Sequence, residues 1–223
     1  MKIEELKILT QNFTDQINFY QNVIGLKLIE IKNQEAKFKI GKSILKLVKS
    51  DNFHPYHFAI NIPCNKENEA LIWLKKRVEI LKDGDNEIQN FSFWNAKAIY
   101  FYDTDKNIVE FIARKNLNNK SLENFSAKSL LEISEIGMPV NNIKSSYKTL
   151  KEITNIKKYD GGLEKFCAIG DEEGLFICIN KNLKNWYPVK DKAYSSYFQI
   201  KLIEKNVSYH LIFEGGKITE HKD

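Results

Sequence analysis

The sequence contains no long hydrophobic run, since no apolar stretch approaches the roughly 18 residues that a membrane-spanning helix requires. The first residues, Met1–Glu5, are charged and lack the apolar centre of a secretory signal. Cysteine is scarce as well, with three residues and no CxxC spacing, so neither a disulfide framework nor a structural zinc site is indicated. We therefore expect a cytoplasmic, reduced protein with no membrane partner.

A concentrated basic surface is also missing. Lys and Arg number 34 against 29 Asp and Glu, a net charge of +5, but the lysines are interleaved with acids and no arginine–aromatic motif occurs. This pattern is typical of a solvated surface, and we expect no nucleic-acid partner. The 223 residues, 43% of them hydrophobic, suffice for one large domain or two small ones with a sizeable core.

What the sequence does contain is a repeated order of elements: strand, helix, strand, strand, strand. The first copy occupies residues 1–50, the second residues 55–115, and a third begins near residue 128. In the first copy an amphipathic helix follows Asn12 and ends before Gly25, which suits the C-terminal position of a helix. The repeat predicts an α+β fold of paired βαβββ modules. We expect a two-module domain over 1–115, and a third module with partial C-terminal strands over 128–223.

The segment from Tyr100 to Arg114 predicts two strands joined by the tight turn Asp-Thr-Asp-Lys-Asn. Glu110 lies in the middle of the second strand, on the face that also carries Ile108 and Ile112. Both faces are otherwise apolar, so we expect Glu110 to point into an enclosed space. A buried carboxylate requires a partner there: a metal ion, a cation such as Lys46 or Arg114, or a ligand.

Two segments carry a resemblance to a known family. Residues 12–26, NFTDQINFYQNVIGL, and residues 100–110, YFYDTDKNIVE, resemble the vicinal oxygen chelate superfamily. That group includes glyoxalase I, bleomycin-resistance proteins, fosfomycin-type thiol transferases and ring-cleaving dioxygenases. The resemblance implies that two modules pair into a half-open, glyoxalase-like barrel. It further implies that a divalent metal is bound on the concave side by residues of the first and last strands of each module.

Carried over to this chain, the four ligand positions are Glu5, Lys46, His57 and Glu110. Strand alternation also places Glu5 and His57 on the faces turned away from the helices, so we expect the four side chains to converge. His57, Glu110 and Glu5 form a ligand set suitable for Zn, Ni, Mn or Fe. Protonated Lys46 cannot bind a metal, and we expect it to pair with Glu5 or to contact a substrate carboxylate.

The resemblance also implies a pocket for a small organic molecule. We expect its walls to include Trp94, Asn95, Tyr100 and Tyr102, together with Lys46, and Phe93 is a further aromatic candidate. The third module has no histidine, and its strand Leu175–Asn180 has no acid. We expect that module to be a partner without metal ligands, which completes a second barrel or forms a homodimer interface.

Three functions remain open at this point. The first is a metal-dependent small-molecule enzyme of the lyase, thiol transferase or isomerase type, in which the metal binds a substrate oxygen and Glu110 is catalytic. The second is a metal-free small-molecule binding protein resembling the bleomycin-resistance proteins, which Lys46 at a ligand position favours. The third is a module protein whose role is assembly. The His57–Glu110 pair favours the enzyme.

Overall fold

The computed structural model describes residues 1–221, so the last two residues of the predicted 128–223 region lie outside it. The predicted α+β fold is confirmed: the strands form two mixed sheets, and neither closes into a barrel. The strands are β1 Lys2–Thr10, β2 Lys27–Lys32, β3 Glu35–Ile40, β4 Ser43–Lys49, β5 His57–Ile62, β6 Ile80–Leu81, β7 Gln89–Phe91, β8 Ala96–Tyr102, β9 Ile108–Arg114, β10 Glu132–Val140, β11 Lys158–Gly161, β12 Phe166–Asp171, β13 Gly174–Asn180, β14 Phe198–Glu204, β15 Val207–Glu214 and β16 Lys217–Glu220.

Each of the three complete modules carries its helix between its first and second strands. The helices are α1 Phe13–Asn18, which continues as a π-helical turn over Phe19–Val23, α2 Glu67–Lys75 and α3 Ile143–Thr154. The chain leaves the first helix through Gly25 at φ +76°, a conformation that glycine adopts without strain. Helix α3 is capped by Asn142, whose side chain accepts a hydrogen bond from the backbone N–H of Ser145 at 2.9 Å. No helix within residues 1–221 is long and apolar enough to cross a membrane.

The pairing of the modules differs from the one expected from the sequence. Strand β1 pairs antiparallel with β14, so the first module shares a seven-stranded sheet, sheet A, with the C-terminal strands in the order β16-β15-β14-β1-β4-β3-β2. Strand β5 pairs antiparallel with β10, so the second and third modules share sheet B, in the order β11-β12-β13-β10-β5-β9-β8-β6. Modules one and two therefore do not form a common barrel.

The C-terminal strands can replace a complete module in sheet A because they supply the same apolar pairing surface. Leu6 of β1 lies opposite Ile200 of β14, and Ile8 lies opposite Phe198, and all four side chains are buried. Pairs of large apolar residues on neighbouring strands stabilise a sheet whatever connects those strands. A helix-free meander, β14 to β16, therefore completes sheet A.

The helix-bearing faces of the two sheets enclose the main hydrophobic core. Leu6 and Ile8 of sheet A belong to the same buried cluster as Phe58 and Phe111 of sheet B. The predicted alternation of β9 is confirmed, because Val109 and Phe111 face this core whereas Ile108 and Ile112 belong to a second cluster on the opposite, concave face of sheet B.

The turn between β8 and β9 connects sheet B to the first module through hydrogen bonds. The Asp105 carboxylate accepts hydrogen bonds from the hydroxyl of Thr10, from the backbone N–H groups of Gln11 and Asn12, both at 3.2 Å, and from the Asn12 side-chain amide at 2.7 Å. Asn12, which directly precedes the first helix, uses its side chain in this contact and not in capping the helix. The motif that resembles the superfamily thus has a structural role between the sheets.

Candidate metal centre

Three buried side chains converge on the concave face of sheet B. The Nε2 atom of His57 lies 3.5 Å from Oε2 of Glu110 and 3.7 Å from Oε2 of Glu135. One ligand atom from each residue lies within 4.8 Å of the others. Among the His, Cys, Asp and Glu side chains of residues 1–221, no other group of three has this geometry, which is suited to holding a metal ion. His57 and Glu110 were predicted as ligands from the sequence, and Glu135 was not.

The sheet register explains why the two carboxylates meet. Tyr100, Glu110, Ala59 and Glu135 form a row across β8, β9, β5 and β10. An irregularity at Ser134 inserts an extra residue into β10 and places Glu135 opposite Ala59. Such bulges re-aim side chains next to functional sites. Because Ala59 between the carboxylates has only a methyl group, the acids can approach each other above it.

His57 is oriented by its other ring nitrogen. Nδ1 lies 3.2 Å from the backbone carbonyl of Ile108, which can only accept a hydrogen bond, so Nδ1 carries the proton. In the neutral imidazole Nε2 then has a free lone pair, and this atom faces the carboxylates of Glu110 and Glu135. A metal-binding imidazole is held in this way, with its second nitrogen fixed by a carbonyl or carboxylate.

The charges of the cluster are only partly balanced. Arg114, which is fully buried, donates from Nη2 to Oε1 of Glu135, while its Nε and Nη1 atoms have no hydrogen-bond partner within the described residues. Burial, and then the neighbouring Glu135, raise the pKa of Glu110 well above its usual value. Burial and the negative charge of Glu110 likewise raise the pKa of Tyr100, so its hydroxyl keeps its proton and donates to Glu110.

These residues fit a divalent cation. Imidazole nitrogens and carboxylate oxygens lie about 2.0–2.2 Å from a zinc-sized ion, so two ligands at a tetrahedral angle are separated by about 3.4 Å. The observed separations of 3.5 and 3.7 Å match this value and exceed the roughly 3.2 Å limit of a direct hydrogen bond. The third module has an apolar residue, Ile177, at the strand position that Glu110 occupies in the second module. Ile177 lies opposite Gly137 in the same way that Glu110 lies opposite Ala59. Three protein ligands would leave positions open for a substrate.

A cavity of about 390 Å³ opens directly above the cluster. His57, Glu110 and Glu135 line it, and most of its remaining wall is aromatic. The aromatic lining residues are Phe91, Phe93, Trp94, Tyr100, Phe166, Trp186 and Tyr187. An apolar cavity with a few converging polar groups is the usual form of a small-molecule site.

The segment between β13 and β14 covers one side of this cavity. Trp186 is buried with its ring centre 5.0 Å from that of His57. It packs so closely on the sheet that a Cβ atom added to Gly137 would lie 2.7 Å from the indole. Tyr187 donates to Gln89 at 2.7 Å and anchors the segment to the second module. Trp186 and Tyr187 therefore hold this segment in place over the cavity.

Glu5 and Lys46 lie elsewhere, so the four predicted ligand positions do not converge. Both residues belong to sheet A, where Glu5 lies 4.0 Å from Lys201, and Lys46 is 2.5 Å from Glu35. The expected Lys46–Glu5 pair is not formed. The physical reason is the module pairing: β1 and β4 belong to sheet A, whereas His57, Glu110 and Glu135 lie on strands of sheet B.

The predicted pocket walls are divided in the same way. Trp94 and Tyr100 line the cavity, as does Phe93. Tyr102 instead donates to Asp191 at 2.5 Å, and the Asn95 side chain donates to Asn116 at 2.8 Å, so neither reaches the cavity. Both are corrections to the expected lining.

Glu135 shows that the third module contributes to the site, contrary to the expectation of a module without ligands. A signal for it exists in the sequence. Glu135-Ile-Gly-Met occupies the same place in its module as His57-Phe-Ala-Ile, since each opens the parallel pairing of a first strand with a last strand. Glu135 was not predicted as a ligand because it is an acid at the position where the second module has His57.

Comparison with known proteins agrees with the fold. No protein-family model matches the sequence, and no curated protein matches it either. A candidate dioxygenase from Bacillus subtilis subsp. subtilis str. 168 is 12% identical, with a TM-score of 0.64 over 99% of this chain and 84% of that chain. The V278E mutant of glyoxalase I from Zea mays is 17% identical, with a TM-score of 0.55 over 87% of this chain and 72% of that one. The chain thus has the fold of the vicinal oxygen chelate superfamily, as its two sequence segments predicted.

Proposed function

We propose that this protein is a metal-dependent enzyme acting on a small organic molecule, with His57, Glu110 and Glu135 as the ligands of a divalent metal. The observation that supports this most strongly is the convergence of three buried ligand atoms at the base of an aromatic cavity. Zn, Ni, Mn and Fe are the ions to consider, and two carboxylates with one imidazole favour the harder ones, Mn and Fe(II). When bound, such an ion would supply Lewis-acid chemistry at an oxygen atom of the substrate.

The residues around the cluster have separate tasks in this proposal. Arg114 holds Oε1 of Glu135, which leaves Oε2 of that residue to face His57. Tyr100 donates to Glu110, so a proton taken from the substrate by Glu110 has a neighbouring hydroxyl with which to exchange. Trp186 closes the cavity above His57 and excludes water from that side. A lyase, a thiol transferase or an isomerase would use this arrangement.

A metal-free binding protein of the bleomycin-resistance type is the second candidate. The observation in its favour is Arg114, because a buried guanidinium already neutralises one of the two carboxylates and reduces the attraction for a cation. In that case the aromatic cavity would bind its ligand without catalysing a reaction.

Elemental analysis distinguishes the two candidates. The purified protein is incubated with Zn, Ni, Mn or Fe(II), freed of loose metal, and compared with a His57→Ala/Glu110→Ala double variant. A His54→Ala/Glu79→Ala variant is the matched control, because neither residue lines the cavity. About one equivalent of metal in the wild type and the control, lost in the first variant, supports the enzyme and justifies lyase, thiol-transfer and isomerase assays. Failure of the wild type to retain any of the four ions contradicts it and favours the binding protein.

A further inference from the structure

The mouth of the cavity carries a positive charge that the cluster does not use. Lys184 lines the cavity on the same side as Phe166, and its Nζ atom lies 5.3 Å from the centre of the Phe166 ring. Its backbone N–H donates to the carbonyl of Asn180 at 3.0 Å, which fixes the start of the side chain at the end of β13. Within residues 1–221 Lys184 forms no ion pair with a carboxylate, and it is the cationic side chain among those that line the cavity.

The other charged group at the mouth is already satisfied. Asp160 accepts a hydrogen bond from Nε1 of Trp94 at 2.6 Å, and this bond is the main cause that lowers the pKa of the Asp160 carboxyl. Asp160 therefore already has a hydrogen-bond partner, whereas the contact that the structure gives the Lys184 ammonium is the ring of Phe166. A negatively charged group would find its partner at Lys184.

The wall between the cluster and the mouth is apolar and includes one aromatic side chain in an unusual position. Phe93 lines the cavity although its side chain is fully exposed, at 101% of the reference area. An exposed phenyl ring next to Trp94 gives a ligand a flat apolar surface to cover. The cavity thus combines oxygen-binding chemistry at its base, aromatic walls and a cation at its mouth.

We propose that the cavity takes a planar aromatic compound that carries an anionic group, and that Lys184 binds this group at the mouth while oxygen atoms at the opposite end reach the cluster. This inference rests on the proposed function and specifies its substrate class. Lys184 would then determine specificity without taking part in the chemistry.

Two matched probes test the inference. Benzohydroxamate presents two vicinal oxygens on an aromatic ring, and 4-carboxybenzohydroxamate adds a carboxylate at the opposite end. Binding of each is measured by calorimetry to the metal-loaded protein, with Lys184→Gln as the test variant. Lys165→Gln is the control, since Lys165 is an exposed neighbour of Phe166 that does not line the cavity.

We expect the carboxylated probe to bind about fivefold more tightly to the wild type and to the Lys165 variant, the size of effect that an exposed ion pair produces. In Lys184→Gln the two affinities should become equal. Equal affinities in the wild type, or a preference that survives in Lys184→Gln, would overturn the inference. The same pair is titrated into EDTA-treated protein: if metal improves the binding of neither probe, the proposed metal function fails, while the comparison of the two probes still decides the role of Lys184.

Discussion

Arg114 donates from Nη2 to Oε1 of Glu135, and this buried ion pair joins the last strand of the second module to the first strand of the third. The guanidinium also lies 5.4 Å from the centre of the ring of Trp94, which lines the cavity. It is therefore both a contact between modules and the cation that makes the acidic cluster tolerable in the absence of a metal.

Replacement of Arg114 should show how the charge balance of the carboxylate cluster is linked to metal binding. In Arg114→Met the Glu135 carboxylate stays buried without its partner, which costs about 3–5 kcal/mol of unfolding free energy. A divalent cation at the cluster supplies the missing positive charge, so the loss should be clearly smaller in metal-loaded protein. Denaturant unfolding in EDTA and with metal measures both values.

Lys42→Met is the matched control. Its amine lies 3.5 Å from Glu132 but is 79% exposed, so its removal should cost less than about 1 kcal/mol under either condition. Equal destabilisation of Arg114→Met with and without metal would show that the cation does not bind near Glu135.

The small residue between the carboxylates gives a second prediction. Ala59→Val adds two methyl groups to the gap across which Glu110 and Glu135 approach each other. We expect metal affinity to fall by about tenfold or more, together with the roughly 1–3 kcal/mol cost of overpacking a buried site. Ala70→Val, in the buried face of α2, should show the stability cost alone. Calorimetric metal titration of the two variants checks this, and unchanged affinity in Ala59→Val would mean that the acids do not act together.

The turn that fastens the sheets gives a prediction about stability. Asp105→Ala removes the acceptor of hydrogen bonds from Thr10, Gln11 and Asn12 and leaves these donors without it. Hydrogen bonds to charged groups are the strong ones, and we expect a loss of about 3 kcal/mol, or roughly 6–12 °C in Tm. Asp51→Ala, at an exposed loop position, should leave Tm nearly unchanged. If calorimetry gives the same Tm for both variants, the turn does not hold the two sheets together.

The sequence was sufficient to predict the modules but not their partners. Alternation in β9 predicted that Glu110 shares a face with Ile108 and Ile112, and in the structure these residues do lie on the concave face of sheet B. The first strands β1, β5 and β10 all offer apolar pairing surfaces, so local pattern does not determine which two will pair. That choice depends on long-range packing, and it moved Glu5 and Lys46 away from His57.

Glu135 is a second feature of the site that the sequence alone could not predict. Its position in the repeat could be predicted from the sequence. Its side chain lies in the same row as Glu110, however, because of the register irregularity at Ser134. A single inserted residue changes which side chain lies opposite Ala59, and no hydrophobic pattern in β10 reveals it, since every residue of that strand is buried.

The most direct test of the proposal compares Glu135→Gln with Glu5→Gln in their affinity for the metal that the wild type binds best. If the centre is formed by modules two and three, Glu135→Gln should lose about 100-fold or more, because changes in outer-shell partners alone cost 10–100-fold, while Glu5→Gln should match the wild type. Retention of the metal by Glu135→Gln and its loss in Glu5→Gln would contradict the site described here and place the centre on sheet A.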